Sequence, residues 1–322
     1  MIKIKLAGFL LIATIIMGCS SKMPAPLEGV YPLKTKTLTI FDLYSEEYEI
    51  YYNVAEVVES KPENLAVDFD LGQLTEYRFG SFILGNNNQR TWFLMSKDPQ
   101  GYWSDFYIDQ NSDLTIKENE RIKSFQSGQD KIKGMGRTQS MTMIPVRIKV
   151  SFKGLSGEIH KNLYFFMVTT VLTKKGASDL MVEAISATFL DGEINIATDE
   201  TVKRMNVRLI DANGNGCFND YGIDLIFIDL NNNDYYQKRE GFKLAEFFDF
   251  SESTGEQKQL RIIVPPFPKK IAITGAGQDY DLADLEAQSD QEDEEDEALL
   301  DPGEEDFEKS TNSPSVASES QT

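Results

Sequence analysis

Three stretches of the chain place oxygen-bearing side chains at every second residue, directly after a run of β-type apolar residues. Asp109-Gln110-Asn111-Ser112-Asp113 follows Phe106-Tyr107-Ile108, and Asp211-Ala212-Asn213-Gly214-Asn215 follows Val207-Arg208-Leu209-Ile210. Asp229-Leu230-Asn231-Asn232-Asn233 follows Leu225-Ile226-Phe227-Ile228. A loop that winds around a hard cation such as Ca²⁺ offers side-chain oxygens from positions 1, 3 and 5, a peptide carbonyl from 7 and a bidentate carboxylate from 12. The first stretch supplies Asp109, Asn111, Asp113, the carbonyl of Thr115 and Glu120 in that order. The third supplies Asp229, Asn231, Asn233, the carbonyl of Tyr235 and Glu240. The middle one supplies Asp211, Asn213, Asn215 and the carbonyl of Cys217, with Gly216 at position 6. Its position 12 is Gly222, so Asp220 or Asp224 has to provide the last carboxylate.

At these residues the chain resembles the calcium loops of EF-hands, and more closely their extracellular relatives in dockerins and thrombospondin type 3 repeats. The resemblance covers the loops alone and implies Ca²⁺ as the ligand. In an EF-hand a helix enters the loop, whereas the aromatic and β-branched runs here read as strands. The expectation is therefore EF-like loops placed between strands. Position 6 calls for a positive φ, which Leu114 and Asp234 adopt at a cost that Gly216 avoids, about 1 kcal/mol for Leu. Asn at several ligand positions lowers the ligand charge, which points to weak sites of roughly 10⁻⁴ to 10⁻³ M. Ranked by carboxylates in register, the expected order of affinity is first, third, middle. Asn, Asp and Gly also build Asx-turns and hairpin connections, so three metal-free turns stand as the alternative.

The N-terminus places this chemistry outside the cytoplasm. Lys3 and Lys5 precede an apolar run from Leu6 to Met17, the pattern of a secretory signal too short to span a bilayer comfortably. Ile16-Met17-Gly18-Cys19 resembles the lipobox of bacterial lipoproteins, which implies cleavage before Cys19, a thioether-linked diacylglycerol on it and acylation of the new amino terminus. Two or more acyl chains anchor stably where one does not. Ser20 after the Cys implies, by the same resemblance, the outer membrane of the cell envelope. An ordinary secretory peptide with a coincidental cysteine is the alternative. With Cys19 lipidated, Cys217 is the only other cysteine and an internal disulfide is excluded.

The chain has 322 residues, 41% hydrophobic, ample for one or two packed cores. Between residues 278 and 322 there are 17 Asp or Glu against one Lys, so only −4 of the net charge of −20 falls elsewhere. This acidic segment repels itself and has little apolar surface, which predicts a disordered tail, either merely solvating or able to dock a basic partner or buffer cations. Nucleic acid is excluded as a partner because no Lys/Arg stripe exists to neutralise phosphates.

The elements that must position the loops read as strands. Val146 to Lys153 alternates apolar and polar residues throughout, the mark of a strand with one buried face. Similar runs elsewhere, with Gly, Asn and Asp turns, predict a mainly β chain of two antiparallel sandwich or barrel-like units with little helix. The best helical signal is Lys117 to Phe125, after the first loop. Expected boundaries are a signal peptide at 1–18, a linker at 19–34, a first β domain at 35–140, a second at 141–277 and the tail at 278–322.

Catalytic signals are sparse. His160 is the only histidine and sits in a polar stretch that reads as a surface turn; no Gly-x-Ser-x-Gly elbow or phosphate-cradling glycine loop is present. Zinc is disfavoured for want of His and Cys. The leading expectation is a non-enzymatic, lipid-anchored envelope protein with calcium loops, touching the membrane through its lipid and envelope proteins or polysaccharide through its body. A calcium-dependent carbohydrate-active or other hydrolytic lipoprotein is the alternative, requiring a close carboxylate pair in an aromatic-lined cleft. Trp92, Trp103, Tyr102, Tyr235 and Tyr236 are its candidate stacking residues.

Overall fold

The computed structural model describes residues 26–37, 52–99, 101–126, 138–142, 145–172, 180–197, 201–251, 257–278 and 280–286. The segment expected to be a signal, Cys19 and most of the acidic tail lie outside the described residues. In chain order the strands are β1 (Gly29–Thr37), β2 (Asn53–Val54), β3 (Glu56–Val58), β4 (Ala66–Val67), β5 (Tyr77–Leu84), β6 (Gln89–Lys97) and β7 (Trp103–Ile108). Then come β8 (Thr115–Ile116), β9 (Arg121–Gln126), β10 (Thr138–Thr142), β11 (Val146–Lys153), β12 (Ile159–Leu172), β13 (Leu180–Ser186) and β14 (Thr188–Ala197). The last are β15 (Val202–Ile210), β16 (Leu225–Ile228), β17 (Gly241–Lys243), β18 (Phe247–Ser251), β19 (Gln257–Ile263) and β20 (Lys270–Gly275). The protein is mainly β, as its alternating apolar pattern predicts.

One sheet closes on itself. Its order is β2-β13-β12-β10-β9-β7-β6-β5-β3, with β11 paired to β12 beyond the end of β10. Only Ala55 separates β2 from β3, and its N–H donates to the carbonyl of Val182 at 2.8 Å. A single length of chain, Asn53 to Val58, therefore pairs with β13 through one part and with β5 through the next, all antiparallel. Among the described residues, closure leaves β11, paired with β12 alone, as the strand with a free side. Its interior takes alternate residues: Phe82 and Leu84, Phe93 and Met95, Phe106 and Ile108, and Tyr164, Phe166 and Val168 are all buried in one cluster. β11 shows the expected period of two, with Val146, Ile148, Val150 and Phe152 buried and Lys149 and Lys153 exposed.

The second sheet has eight antiparallel strands in the order β17-β16-β15-β14-β1-β20-β19-β18. The chain crosses from barrel to sheet at Ser186-Ala187-Thr188, where β13 becomes β14. There the Thr188 hydroxyl takes over ladder bonds, accepting from the N–H of Phe165 at 2.8 Å and donating to its carbonyl at 3.0 Å. Leu190, Val207, Ile226, Leu260 and Ile271 of the sheet belong to the same buried cluster as the barrel interior. The sheets do not follow the order of the chain. β1 pairs with β14 and β20, and β10, which spans the boundary expected at 140/141, is paired on both sides.

Two local expectations change. Lys117 to Phe125 forms a 3-10 turn at Glu118–Glu120 followed by β9, because β9 finds partners in β7 and β10 and the helix would not. The start of the acidic segment is ordered: a short helix, Ala283–Glu286, buries Leu285 against Ile263 and Ala272, and the Glu286 carboxylate accepts from the N–H of Ser156 at 3.0 Å.

Candidate metal centre

Each Asp-rich run is the connection of an antiparallel hairpin. Loop 1 joins β7 to β9, loop 2 joins β15 to β16 and loop 3 joins β16 to β17. The four residues of β16 lie between loops 2 and 3, which therefore sit at opposite ends of that strand. The three loops share one hydrogen-bond skeleton. The position 1 carboxylate accepts from the N–H groups of positions 5 and 6: Asp109 from Asp113 and Leu114 at 3.1 and 3.0 Å, Asp211 from Asn215 and Gly216 at 3.2 and 2.7 Å, Asp229 from Asn233 and Asp234 at 3.1 and 2.9 Å. The position 5 side chain accepts from the N–H of position 7, namely Thr115, Cys217 and Tyr235.

The backbone repeats as closely. Position 4 has φ of 60°, 66° and 55° at Ser112, Gly214 and Asn232, and position 6 has 62°, 83° and 60° at Leu114, Gly216 and Asp234. Among the described residues, Asn88 is the only non-glycine residue with positive φ outside these loops. Left-handed backbone at Ser and Leu is strained and persists only where the surroundings hold it.

The terminal acid is also common to all three. In loop 1 the Glu120 carboxylate accepts from the N–H of Gln110 at 3.2 Å and of Lys117 at 3.0 Å, positions 2 and 9. In loop 3 Glu240 accepts from the N–H of Gln237, again position 9, at 2.9 Å. In loop 2 the part is taken by Asp224, which accepts from the N–H of Ala212 at 3.0 Å and of Asp220 at 2.7 Å. Loop 2 is two residues longer to that point, and the turn around Gly222 (φ 85°) absorbs the extra length. Asp220 has a different place: its Oδ2 accepts from the side-chain amides of Asn213 and Asn215 at 2.8 and 2.6 Å. Asp109, Glu120, Asp211, Asp224, Asp229 and Glu240 are all buried, whereas Asn111, Asp113, Asn231 and Asn233 are exposed.

Charge is balanced differently in the loops. In loop 1 the Lys117 ammonium contacts the Asp113 carboxylate and feels Asp109 and Glu120 as well, which raises its own pKa and lowers that of Asp113. Burial raises Asp109 and Glu120. In loop 2 burial raises both Asp211 and Asp224, and Asp211 and Asp220 push Asp224 further in the same direction. Only hydrogen bonds act against this, from Tyr164, Gly216 and neighbouring N–H groups on Asp211. Among the described residues no Lys or Arg forms an ion pair with Asp211, Asp220 or Asp224. Burial likewise raises the Cys217 thiol, leaving it an inert packing group whose peptide carbonyl, not sulfur, is the oxygen at position 7.

Loop 2 is built into the barrel end. The Gly214 carbonyl accepts from the side-chain amide of Asn53 at 3.1 Å and the Asn215 carbonyl from the N–H of Gly85 at 2.6 Å. Phe218 N–H donates to Pro266 at 2.7 Å. Gly85 is required there: its φ is 68° and a Cβ would stand 2.2 Å from the Ser151 carbonyl oxygen. Loop 1 follows β7 at the same barrel end, and Gln89 ties it in, donating to Ser112 at 3.1 Å while accepting from the N–H of Ser151 at 2.6 Å. Loop 3 is anchored through Tyr236, position 8, whose ring lies 4.6 Å from the buried Arg208 guanidinium. Arg208 in turn pairs with Asp191 at 2.6 and 2.8 Å.

Sequence reasoning named the loop ligands but not Lys117, Tyr164 or Gln89. Lys117 could have been found as a basic residue at position 9; Tyr164 and Gln89 meet the loops only through the barrel. Among the described residues no three His, Cys, Asp or Glu side chains converge on one point as they stand. A calcium loop draws most of its six to eight oxygens from amides, carbonyls and water, so two or three carboxylates are sufficient.

Among the described residues the enzymatic constellation has no comparable geometry. His160 lies in β12 and stacks on Phe152 at 5.7 Å rather than in a surface turn. Trp103 and Tyr236 are buried, Trp92 is half-buried over the outer barrel face, and Tyr102 and Tyr235 are exposed. An open groove of about 810 Å³ on the eight-stranded sheet is lined by Asp191, Glu193, Lys36 and Arg204 among others. Its two carboxylates are tied up in ion pairs, Asp191 with Lys36 and Arg208, Glu193 with Arg204. No helix among the described residues is long and apolar enough to cross a membrane. No family model matches the chain, and neither a curated protein nor a solved structure is similar to it.

Proposed function

We propose that this is a calcium-binding, lipid-anchored protein of the bacterial cell envelope, without catalytic activity, whose hairpin loops hold Ca²⁺ to stiffen the fold and an interaction surface. The observation that carries the calcium part is the threefold repetition of one loop: the same carboxylate-to-amide bonds, the same two left-handed positions and the same buried terminal acid. An ordinary Asx-turn needs one side-chain bond to its backbone, not four residues in left-handed or buried acidic positions. The anchor rests on Ile16-Met17-Gly18-Cys19, and the surface that meets envelope proteins or polysaccharide is carried by the body.

Calorimetric titration of Ca²⁺ into the soluble chain beginning at Ser20 tests the reading. Binding to the native state alone stabilises by RT ln(1 + [L]/Kd), so 1 mM calcium against a Kd of about 0.1 mM contributes about 1.4 kcal/mol per site. Absence of binding heat together with an unchanged thermal midpoint in calcium and in chelator overturns it.

A further inference from the structure

We infer that loop 2 is the loop built for an external divalent cation of calcium's class, and that this cation locks the barrel end to the eight-stranded sheet, with Asn162 of the barrel wall facing it. The inference rests on the calcium reading and selects the site within it. Counting carboxylates ranks loop 1 first, but loop 1 carries its own cation: Lys117 reaches Asp113 and acts on Asp109 and Glu120. Loop 2 has Asp211 and Asp224 buried to 0% and 1% exposure; loop 3 buries Asp229 and Glu240 to the same extent, but loop 2 adds a third carboxylate, Asp220, acting on its buried pair. Buried carboxylates without a paired cation are costly, and a bound divalent ion is the most direct compensation.

A second observation comes from outside the loop. Asn162 is 5% exposed, and neither its amide oxygen nor its amide nitrogen has a hydrogen-bond partner. It lies on the same face of β12 as Tyr164, whose hydroxyl donates to Asp211 at 2.7 Å. Across the ladder it faces Val150, whose Cγ1 would be 3.2 Å from a Cβ on Gly216, the turn residue of loop 2. An orphaned amide between His160 and Tyr164 on one strand face, one step along the strand from a loop 2 contact, marks the place of an ion's water or of a direct ligand bond. The surrounding contacts explain the lock: Asn53, Gly85 and Tyr164 of the barrel hold one side of the loop, and β15 and β16 of the sheet hold the other.

The test compares thermal midpoints in calcium and in chelator, with calorimetry alongside. In the wild type, calcium at about tenfold its Kd should raise the midpoint by roughly 3 to 6 °C. Asp224→Asn, which keeps the side-chain shape, should lose most of that rise, while Asp109→Asn keeps more than half of it. Asn162→Leu should be at least as stable as wild type in chelator, since it removes an unpaired buried amide, yet show a smaller calcium rise. A pure packing role would shift its midpoint equally in both conditions and overturn the assignment of Asn162. A full calcium rise in Asp224→Asn, with loss in Asp109→Asn, overturns loop 2 as the site and leaves calcium binding standing. No heat and no rise in the wild type overturns both.

Discussion

The hydroxyl of Tyr164, inside the barrel, donates to the Asp211 carboxylate of loop 2 at 2.7 Å, with both side chains buried. This bond joins the barrel wall to the connection between two strands of the other sheet. It is a hydrogen bond to an ionisable group in a buried setting, worth about 1.5–3 kcal/mol. Tyr164→Phe keeps the ring and its stacking on Phe166 at 6.0 Å and removes only the donor. The expected loss is about 2 kcal/mol in urea unfolding at neutral pH, with an unchanged m value. A loss below about 0.5 kcal/mol would show that Asp211 finds another donor.

The pH dependence should run opposite to ordinary acid denaturation. Burial raises the folded-state pKa of Asp211 and Asp224 above that of an unfolded carboxylate, and Asp109 and Glu120 shift in the same direction. The folded state then holds more protons than the unfolded one, and stability falls as pH rises from about 4 through the raised folded values. In chelator the protein should be more stable at pH 5 than at pH 7.5. Asp224→Asn should flatten that slope. Equal wild-type stability at the two pH values would count against the buried-carboxylate account.

Leu114 holds φ at 62° with its side chain 40% exposed, so little packing opposes a smaller residue. Leu114→Gly should stabilise the protein by about 1 kcal/mol, offset in part by the greater freedom of glycine in the unfolded chain. Chemical denaturation reads this directly. Destabilisation would mean that the Leu114 side chain has packing value.

Truncation after Glu286 should leave the thermal midpoint within about 1 °C, since it removes the acidic, Ser-rich segment and no described contact. Truncation after Gln278 also removes Leu285 and the Glu286 carboxylate that accepts from Ser156. That should cost about 2 kcal/mol or more. Equal midpoints for the two truncations would show that the short helix contributes nothing.

Lipidation is tested by metabolic labelling with a fatty acid. Cys19→Ala should abolish the label and alter processing of the signal. Equal labelling of wild type and variant rules out Cys19 as the attachment point.

Much of the architecture is legible from residue pattern because strand periodicity is a local property. β11 carries its burial in its own alternation, and the runs before Asp109, Asp211 and Asp229 are strands. Position 6 of each loop is legible for the same reason: a tight ligand-like turn requires left-handed backbone, and Leu114, Gly216 and Asp234 all supply it. Lys117 to Phe125 is misleading because its helical pattern is weaker than the two ladders available to β9. The acidic segment hides Leu285 because a single apolar residue in a charged stretch carries no period.

The chain by itself determined the loops, their strand flanks and the charge of the tail, all of which follow from residue types at short spacing. Tertiary structure alone decided which strands close into the barrel and which form the eight-stranded sheet, because Ala55 and Ala187 are bends whose consequences depend on partners far along the chain. It also decided the electrostatics of the loops. Lys117 compensates loop 1 from within, whereas Asp211 and Asp224 are enclosed by barrel residues more than twenty positions away, and burial, not carboxylate count, sets the free energy of a charge.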